Sequence, residues 1–363
     1  MEKIDKILSP GQLVYRRFRK NKPAVFSAVF LLLTILLAVL GYLIVPDQSR
    51  HANQQQLQLV AQPPGTQAVV LISRDSELPQ PAWWSVWLYG DDRPGQSQLL
   101  SSYRMAGDTL FYVLAEEGAT ESWVIDGQDK RTFSLEEKTF WLGTDVLGRD
   151  LLSRLIIGLR ISLAVGLLAV VISVSLGTLL GMLAGYFRGW VDQLIQFVIN
   201  VSWSIPSLLL VIAFSLALGK GFWQVFLAVG LTMWVEVARI VRGQVLSLRE
   251  KEFVEAARAM GFGHLRIMFR HLLPNMVGPI IIMAASNFAS AILVESGLSF
   301  LGIGVQPPVP TLGLMIKEHY PYIIMDAAYL ALVPGALIFL LVLAFNLMGN
   351  GLSDAFDSKV KMT

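Results

Sequence analysis

The residues that could do chemistry are few. Four histidines, His51, His264, His271 and His319, are the chain's imidazoles, and there is no cysteine. No two histidines stand at metal-ligand spacing such as His-Glu-x-x-His. No Gly-x-Ser-x-Gly elbow occurs. The missing cysteine excludes disulfides, thiolate metal sites and a Cys nucleophile. A phosphate-binding loop would read Gly-x-x-x-x-Gly-Lys-[Ser/Thr], and the chain has none. If ATP drives this protein, another chain binds it. Two groups of charges interrupt apolar stretches. Glu295 is expected at the outer end of one, solvated or capped. Glu236 and Arg239 stand one helical turn apart, where they can pair near the membrane surface.

The densest constellation is Phe253-Val-Glu-Ala-Ala-Arg-Ala-Met-Gly261, which continues through Phe262-Gly-His-Leu-Arg-Ile-Met-Phe-Arg270 to His271-Leu-Leu-Pro274. Glu255, Ala256, Ala257, Arg258, Ala259 and Met260 are good helix formers. Gly261 can take φ > 0 and stop that helix. A second helix begins at Leu265, and Pro274 marks the start of an apolar stretch. Ala256, Ala257 and Ala259 leave little bulk, so another surface can approach the backbone, while Phe253, Val254 and Met260 offer apolar anchors. Such a helix can lie in a partner's groove. With Arg258, Arg266 and Arg270 it can equally rest on lipid headgroups, and the residues alone leave both readings open.

The elements that must position this loop are membrane spans. Hydrophobic residues make up 54% of the 363 and charged ones 15%, against roughly 25% charged in soluble domains. A span needs about 20 mostly apolar residues. Stretches 25–45, 161–185, 194–218, 275–294 and 327–349 qualify without a charge, and 222–235 qualifies if it runs on through Glu236 and Arg239 to Val241. Six spans are therefore expected. The first reads as a signal anchor, because it exceeds a typical h-region and no small-residue cleavage pattern follows Val45. Gly177, Gly181 and Gly185 form a stripe on one face of the second span that permits close helix packing. Pro206 and Pro334 should kink their spans.

Loop charge orients the chain. Seven basic residues (Lys3, Lys6, Arg16, Arg17, Arg19, Lys20 and Lys22) precede the first span, which places that segment in the cytoplasm. Six spans then return the C-terminus, with Lys359 and Lys361, to the same side, and put residues 239–270 there too. The insert after the first span carries seven basic and thirteen acidic residues over 47–142. Strand-like runs at 67–72, 84–89, 109–114 and 122–125, separated by turns such as 90–95 and Asp126-Gly127, predict a small β-rich extracytoplasmic domain. Residues 54–64 read as a flexible linker. Trp83, Trp84 and Trp87 either fill a small core or form a stacking surface. Asp145, Arg149, Asp150, Arg154 and Arg160 make 143–160 read as an interfacial amphipathic helix, with direct contact to a substrate as the alternative. Residues 306–310 read as a rigid loop.

The spacing of Glu255-Ala256-Ala257, Gly261 and His271-Leu272-Leu273-Pro274 resembles the EAA loop of bacterial ABC importer permeases. Gly143-Thr-Asp-Val-Leu-Gly-Arg-Asp-Leu-Leu-Ser-Arg154 with Gly158-Leu-Arg-Ile-Ser162, and Ser296-Gly-Leu-Ser-Phe-Leu-Gly-Ile-Gly-Val-Gln-Pro-Pro308, resemble blocks of the C-type permease of the dipeptide/oligopeptide/nickel group. The resemblance covers 10–45 and 141–357. Residues 47–140 depart from it, and Thr311-Leu312-Gly313 stands where the family often has Ser-Trp-Gly.

The resemblance implies an all-α polytopic membrane protein with six transmembrane helices and the type I ABC importer (MetI-like) permease fold, carrying a β-rich extracytoplasmic insert. Its parts would be a cytoplasmic segment 1–24, the first span 25–45, the insert 46–140, an interfacial segment 141–160, a permease core 161–350 with a coupling loop 253–274, and a cytoplasmic tail 351–363. The implied function is the permease subunit of an ATP-driven importer of di- or oligopeptides, or of nickel or another small solute. It would be no enzyme and hold no cofactor, ATP and Mg being bound by partners. The implied partners are a B-type permease, two ATPase subunits, an extracytoplasmic solute-binding protein and the bilayer of a bacterial inner membrane, with no nucleic acid. Glu255, Ala256, Ala257, Arg258, Met260, Gly261, His271 and Pro274 would dock on the ATPases, and Gly177, Gly181 and Gly185 would pack helices. A motor-free channel or scaffold and a membrane enzyme are the rival classes.

Overall fold

The computed structural model describes residues 10–75, 79, 81–93, 95–106, 109–114, 120–124, 131–219 and 221–356. Lys3, Lys6, Pro94, Ile125, the Asp126-Gly127 turn, Lys220, Lys359 and Lys361 lie outside them. Helices α1 (Pro10–Lys20) and α2 (Lys22–Ile44) open the chain, and the insert holds strand β1 (Thr66–Asp75), helix α3 (Trp83–Tyr89) and strands β2 (Gly95–Ala106), β3 (Thr109–Leu114), β4 (Thr120–Val124) and β5 (Arg131–Phe140). Then come α4 (Leu151–Phe187), α5 (Gly189–Trp203), α6 (Ser207–Leu218), α7 (Phe222–Leu248), α8 (Glu252–Ala259), α9 (His264–Arg266), a π turn (Ile267–Leu272), α10 (Leu273–Phe300), α11 (Leu312–His319) and α12 (Tyr329–Phe356).

Five helical runs are long and apolar enough to cross a membrane, and six if the bent pair α5–α6 is one span. The pair bends by 93°. Pro206 has no N–H to continue the α5 ladder and disfavours a helical Ile205 before it. Hydroxyls near the break bond back to the helix: Ser202 Oγ donates to Val198 O at 2.9 Å and Ser204 Oγ to Val201 O at 2.7 Å. Pro206 thus breaks its span outright rather than kinking it, whereas α12 runs through Pro334.

Two compact units form. The first comprises Met1–Thr34, Ser162–Val305 and Leu337–Thr363. One buried cluster in it joins Met182 and Tyr186 of α4, Val237, Val241 and Val245 of α7, Val254 and Ala257 of α8, and Ile267, Met268, Leu272 and Met276 beyond. Gly351 of α12 lets Ala24 approach, since a Cβ there would meet the Ala24 Cβ at 2.2 Å.

The second unit comprises Ile35–Ile161 and Gln306–Ala336. Its sheet is antiparallel throughout, in the order β4-β3-β2-β1-β5. Strand β1, between β2 and the edge strand β5, pairs Val70 with Leu99 on one side and with Glu136 on the other. Leu71, Leu100, Leu110 and Tyr112 form the sheet's core.

The insert differs from its expected outline in three places. Trp84–Tyr89, expected as a strand, is helix α3, stopped by Gly90 at φ 82°. Its tryptophans do not fill a core: Trp83 and Trp84 are 75% and 53% exposed. Trp87 Nε1 instead donates to the backbone oxygen of Val39 on α2, at 2.6 Å. The 54–64 stretch is pinned rather than flexible. Gln56 and Leu59 are buried, Gln62 N donates to Thr144 Oγ1 at 2.9 Å, and Ala61 N donates to Asp145 O at 3.0 Å. Strands β2 and β5 were not expected, because Gly95–Ala106 and Arg131–Phe140 are too polar to show an apolar alternation.

Candidate functional site

Helix α8 ends in a Schellman motif. Gly261 N donates to Arg258 O at 2.9 Å and Phe262 N to Ala257 O at 3.1 Å, with Gly261 at φ 75°. Only a residue without a Cβ reaches that conformation cheaply. Nothing lies within 4 Å of the place a Gly261 Cβ would occupy, so this turn stands free. After α9 the chain widens into the π turn. Pro274 cannot donate to the carbonyl four residues back, and Leu273 N reaches Met268 O instead.

The structure sorts the loop residues onto two faces. Glu255, Ala256, Arg258, Met260, Gly261 and Pro274 are exposed, Ala257 is buried, and His271 is half-buried and stacked on Phe262 at 5.7 Å. Val254, expected as an outward anchor, is fully buried and packs inward. A buried Val contributes about 1.5–3 kcal/mol, so Val254 holds α8 to its own subunit. Two exposed apolar residues were missed: Leu265 at 67% and Phe269 at 47%. Their i,i+4 spacing was the available signal. With Phe253 and Met260 they complete the loop's apolar surface.

The loop is anchored to the spans by polar contacts of α4 and α7. Tyr186 Oη lies 2.9 Å from His264 Nδ1, and Arg249 Nη1 donates to Tyr186 O at 2.6 Å. The Arg258 guanidinium sits 5.6 Å from the Tyr186 ring centroid. Arg242 grips Asp192 at the start of α5 with two bonds of 2.6 and 2.7 Å. Gly177, Gly181 and Gly185 bring α4 and α7 together. A Cβ on Gly177 would meet Val237 Cβ at 2.5 Å, on Gly181 the Ala238 oxygen at 2.5 Å, and on Gly185 the Val245 Cβ at 2.8 Å.

Glu236 and Arg239 do not pair. The Arg239 guanidinium lies over the Trp203 ring, 3.3 Å from its centroid, at the α5–α6 break. Cation–π attraction outcompetes the short i,i+3 reach. Glu295 is fully buried rather than solvated, accepting from Ser162 Oγ at 3.1 Å and Ser299 Oγ at 2.8 Å.

In the other unit, four of the five charges that make 143–160 read as interfacial are buried, and Arg160 is half-buried. Asp145, Arg149, Asp150 and Arg154 are nearly inaccessible, and Leu151–Arg160 is already part of α4. Asp145 and Glu318 share two guanidiniums. Arg149 reaches them at 2.6 and 2.9 Å and Arg154 at 3.5 and 3.3 Å. His319 lies beside them, its Nε2 4.0 Å from Asp145. Burial pushes its imidazole below the usual histidine range, against the pull of Asp145 and Glu318. Ligand atoms of Asp145, Glu318 and His319 lie within 4.8 Å of one another, but both carboxylates are already neutralised by arginine. Glu318 and His319 escaped the sequence reading because some 170 residues separate them from Asp145.

Residues 177–362 match the family described as binding-protein-dependent transport system inner membrane component, and residues 9–64 match the N-terminal TM domain of oligopeptide transport permease C. The chain belongs to the binding-protein-dependent transport system inner membrane component family. It is thus a multi-span inner-membrane transport permease, not an enzyme, and has the all-α polytopic fold of that family with a small β insert. The glutathione transport system permease protein GsiD of Pectobacterium atrosepticum is 43% identical over 221 residues, covering 61% of this chain and 73% of that protein. The dipeptide transport system permease protein DppC of Alkalihalophilus pseudofirmus is 42% identical over 221 residues, covering 61% and 72%. Among solved structures, the inward-facing MetNI methionine ABC transporter is similar at 19% identity and a TM-score of 0.47, over 56% of this chain and 96% of that one.

Proposed function

We propose that this chain is the C-type permease subunit of an ATP-driven importer, forming half of a translocation path for di- or oligopeptides. The observation that carries the reading is α8. It presents Glu255, Ala256, Arg258 and Met260 outward while Val254 and Ala257 lock it to α4 and α7. A push on α8 is therefore delivered to the spans. In this reading two ATPase subunits bind ATP and Mg and dock on the loop, and a B-type permease supplies the other half of the path. An extracytoplasmic solute-binding protein delivers cargo. Both termini lie in the cytoplasm. ATP-driven closure of the ATPases moves α8 and turns the path outward. Peptide cargo is supported by the relatives' glutathione and dipeptide names.

The test is purification of the tagged chain from its native membrane, followed by mass spectrometry of co-purifying proteins and bound solute. Recovery of ATPases with a Walker A motif, a second permease and a peptide supports the reading. Recovery of the chain alone, or with a non-peptide solute, counts against the importer or against the cargo respectively.

A further inference from the structure

We propose that Glu236 is the carboxylate that receives the cationic amino group of the cargo partway through the membrane, a reading that rests on the peptide-importer function above. Glu236 stands near the middle of α7, exposed, in a helix otherwise able to span the bilayer. Among the described residues no hydrogen bond or ion pair reaches it, and the nearest cation in sequence, Arg239, is held on Trp203 instead. A charge facing lipid at that depth is expensive. Such residues face a partner or a wet path.

The surroundings favour a path for a cation. Glu236 lines an open groove of about 570 Å³ with Ser202, Ser207, Thr232 and Ser290, beside the broken α5–α6 span. That size lies within the roughly 300–1,000 Å³ of small-molecule sites. Ser202 gives its proton to Val198 O at 2.9 Å and Thr232 to Val229 O at 2.8 Å. Their oxygens are left as acceptors. Among the described residues no lysine, arginine or histidine lines the groove. A carboxylate ringed by acceptors suits an ammonium group and repels an anion. The apolar lining, Trp203, Pro206, Leu208 and Leu293 among it, accommodates side chains of varied shape without fixed hydrogen bonds.

The experiment uses the intact complex, with partner permease, ATPases and binding protein, in proteoliposomes, and radiolabelled trialanine as probe with glutathione as a second. Glu236→Gln should cut ATP-driven uptake by about tenfold or more, as loss of a desolvated charge partner does. Glu236→Asp should restore part of it, and both variants should co-purify all subunits and keep ATPase stimulation by the binding protein. Wild-type uptake by Glu236→Gln overturns the inference and leaves the peptide reading standing. Loss of the partner permease from Glu236→Gln overturns it in favour of an ion pair between subunits. A wild-type complex that moves neither peptide overturns the peptide reading, and the cargo amine with it.

Discussion

The Tyr186 hydroxyl lies 2.9 Å from Nδ1 of His264, so the end of α4 is fastened to the first residue of α9. The same Tyr186 offers its backbone oxygen to Arg249, at 2.6 Å, and its ring to Arg258. One residue thus meets the end of α7, helix α8 and the start of the run into α10. Tyr186→Phe removes only the hydroxyl. About 1 kcal/mol of stability should be lost, and coupling should loosen. The expected outcome is ATP hydrolysis near the wild-type rate with reduced uptake, measured together in proteoliposomes. Equal retention of both would show that the hydroxyl does not transmit movement.

Gly181 and Gly261 should fail in different ways. A Cβ on Gly181 meets the Ala238 oxygen at 2.5 Å and Val241 Cβ at 2.9 Å, and neither can step aside without parting α4 from α7. Overpacking of this kind costs about 1–3 kcal/mol, occasionally more. Gly181→Leu should lower the thermal unfolding temperature in detergent, read by tryptophan fluorescence. An unchanged transition would mean that the helices part freely.

Gly261 meets nothing within 4 Å. Gly261→Leu should cost only its left-handed backbone, about 1–2 kcal/mol, and leave membrane insertion at the wild-type level. If the loop docks on the ATPases, the added bulk at the exposed turn should uncouple hydrolysis from transport. Normal substrate uptake by this variant would refute the docking role.

His319 makes stability depend on pH. Burial lowers its native pKa from the ordinary 6.5, so the unfolded chain takes up a proton first as pH falls. This contribution to stability is complete above about pH 6.5 and declines as pH drops through the lowered native value. Asp145, Glu318 and Arg154 are the charges that act on the ring. Asp150, whose carboxyl burial raises, works in the opposite sense in the acid range. Wild type should therefore unfold at a lower temperature at about pH 5.5 than at about pH 7.5, and His319→Gln should flatten that difference. An equal difference in the variant would place the titration elsewhere.

The insert should be removable along a defined seam. Thr66 pairs with Phe140, and Gly65 N donates to Phe140 O at 2.8 Å, so the chain enters and leaves the sheet at one place. Replacing residues 67–139 by a short glycine linker should preserve insertion and ATPase co-purification. Cutting back to Gln54 should not be tolerated as well, because Gln62 and Thr144 bond each other at 2.9 Å. Loss of the ATPases from the shorter deletion would contradict the proposed orientation.

Five of the six apolar stretches were legible as single helices long enough to span, and the sixth as the bent pair α5–α6, because a bilayer demands length and apolarity and both are local properties of a sequence. The loop's exposed turn was legible too, since Gly261 and its helix-forming neighbours act over a few residues. Only the tertiary structure turned Val254 inward and left Leu265 and Phe269 out, because neighbours brought by α4 and α7 choose the buried face of α8. The broken span at Pro206 and the capture of Arg239 by Trp203 also needed the fold, since a stacking partner 36 residues away outcompetes a carboxylate one turn away. Likewise Asp145 and Arg154 read as too charged for burial until Glu318 and His319 met them. Charge that looks interfacial in one dimension is neutralised in three, and that pairing is decided by packing rather than by spacing.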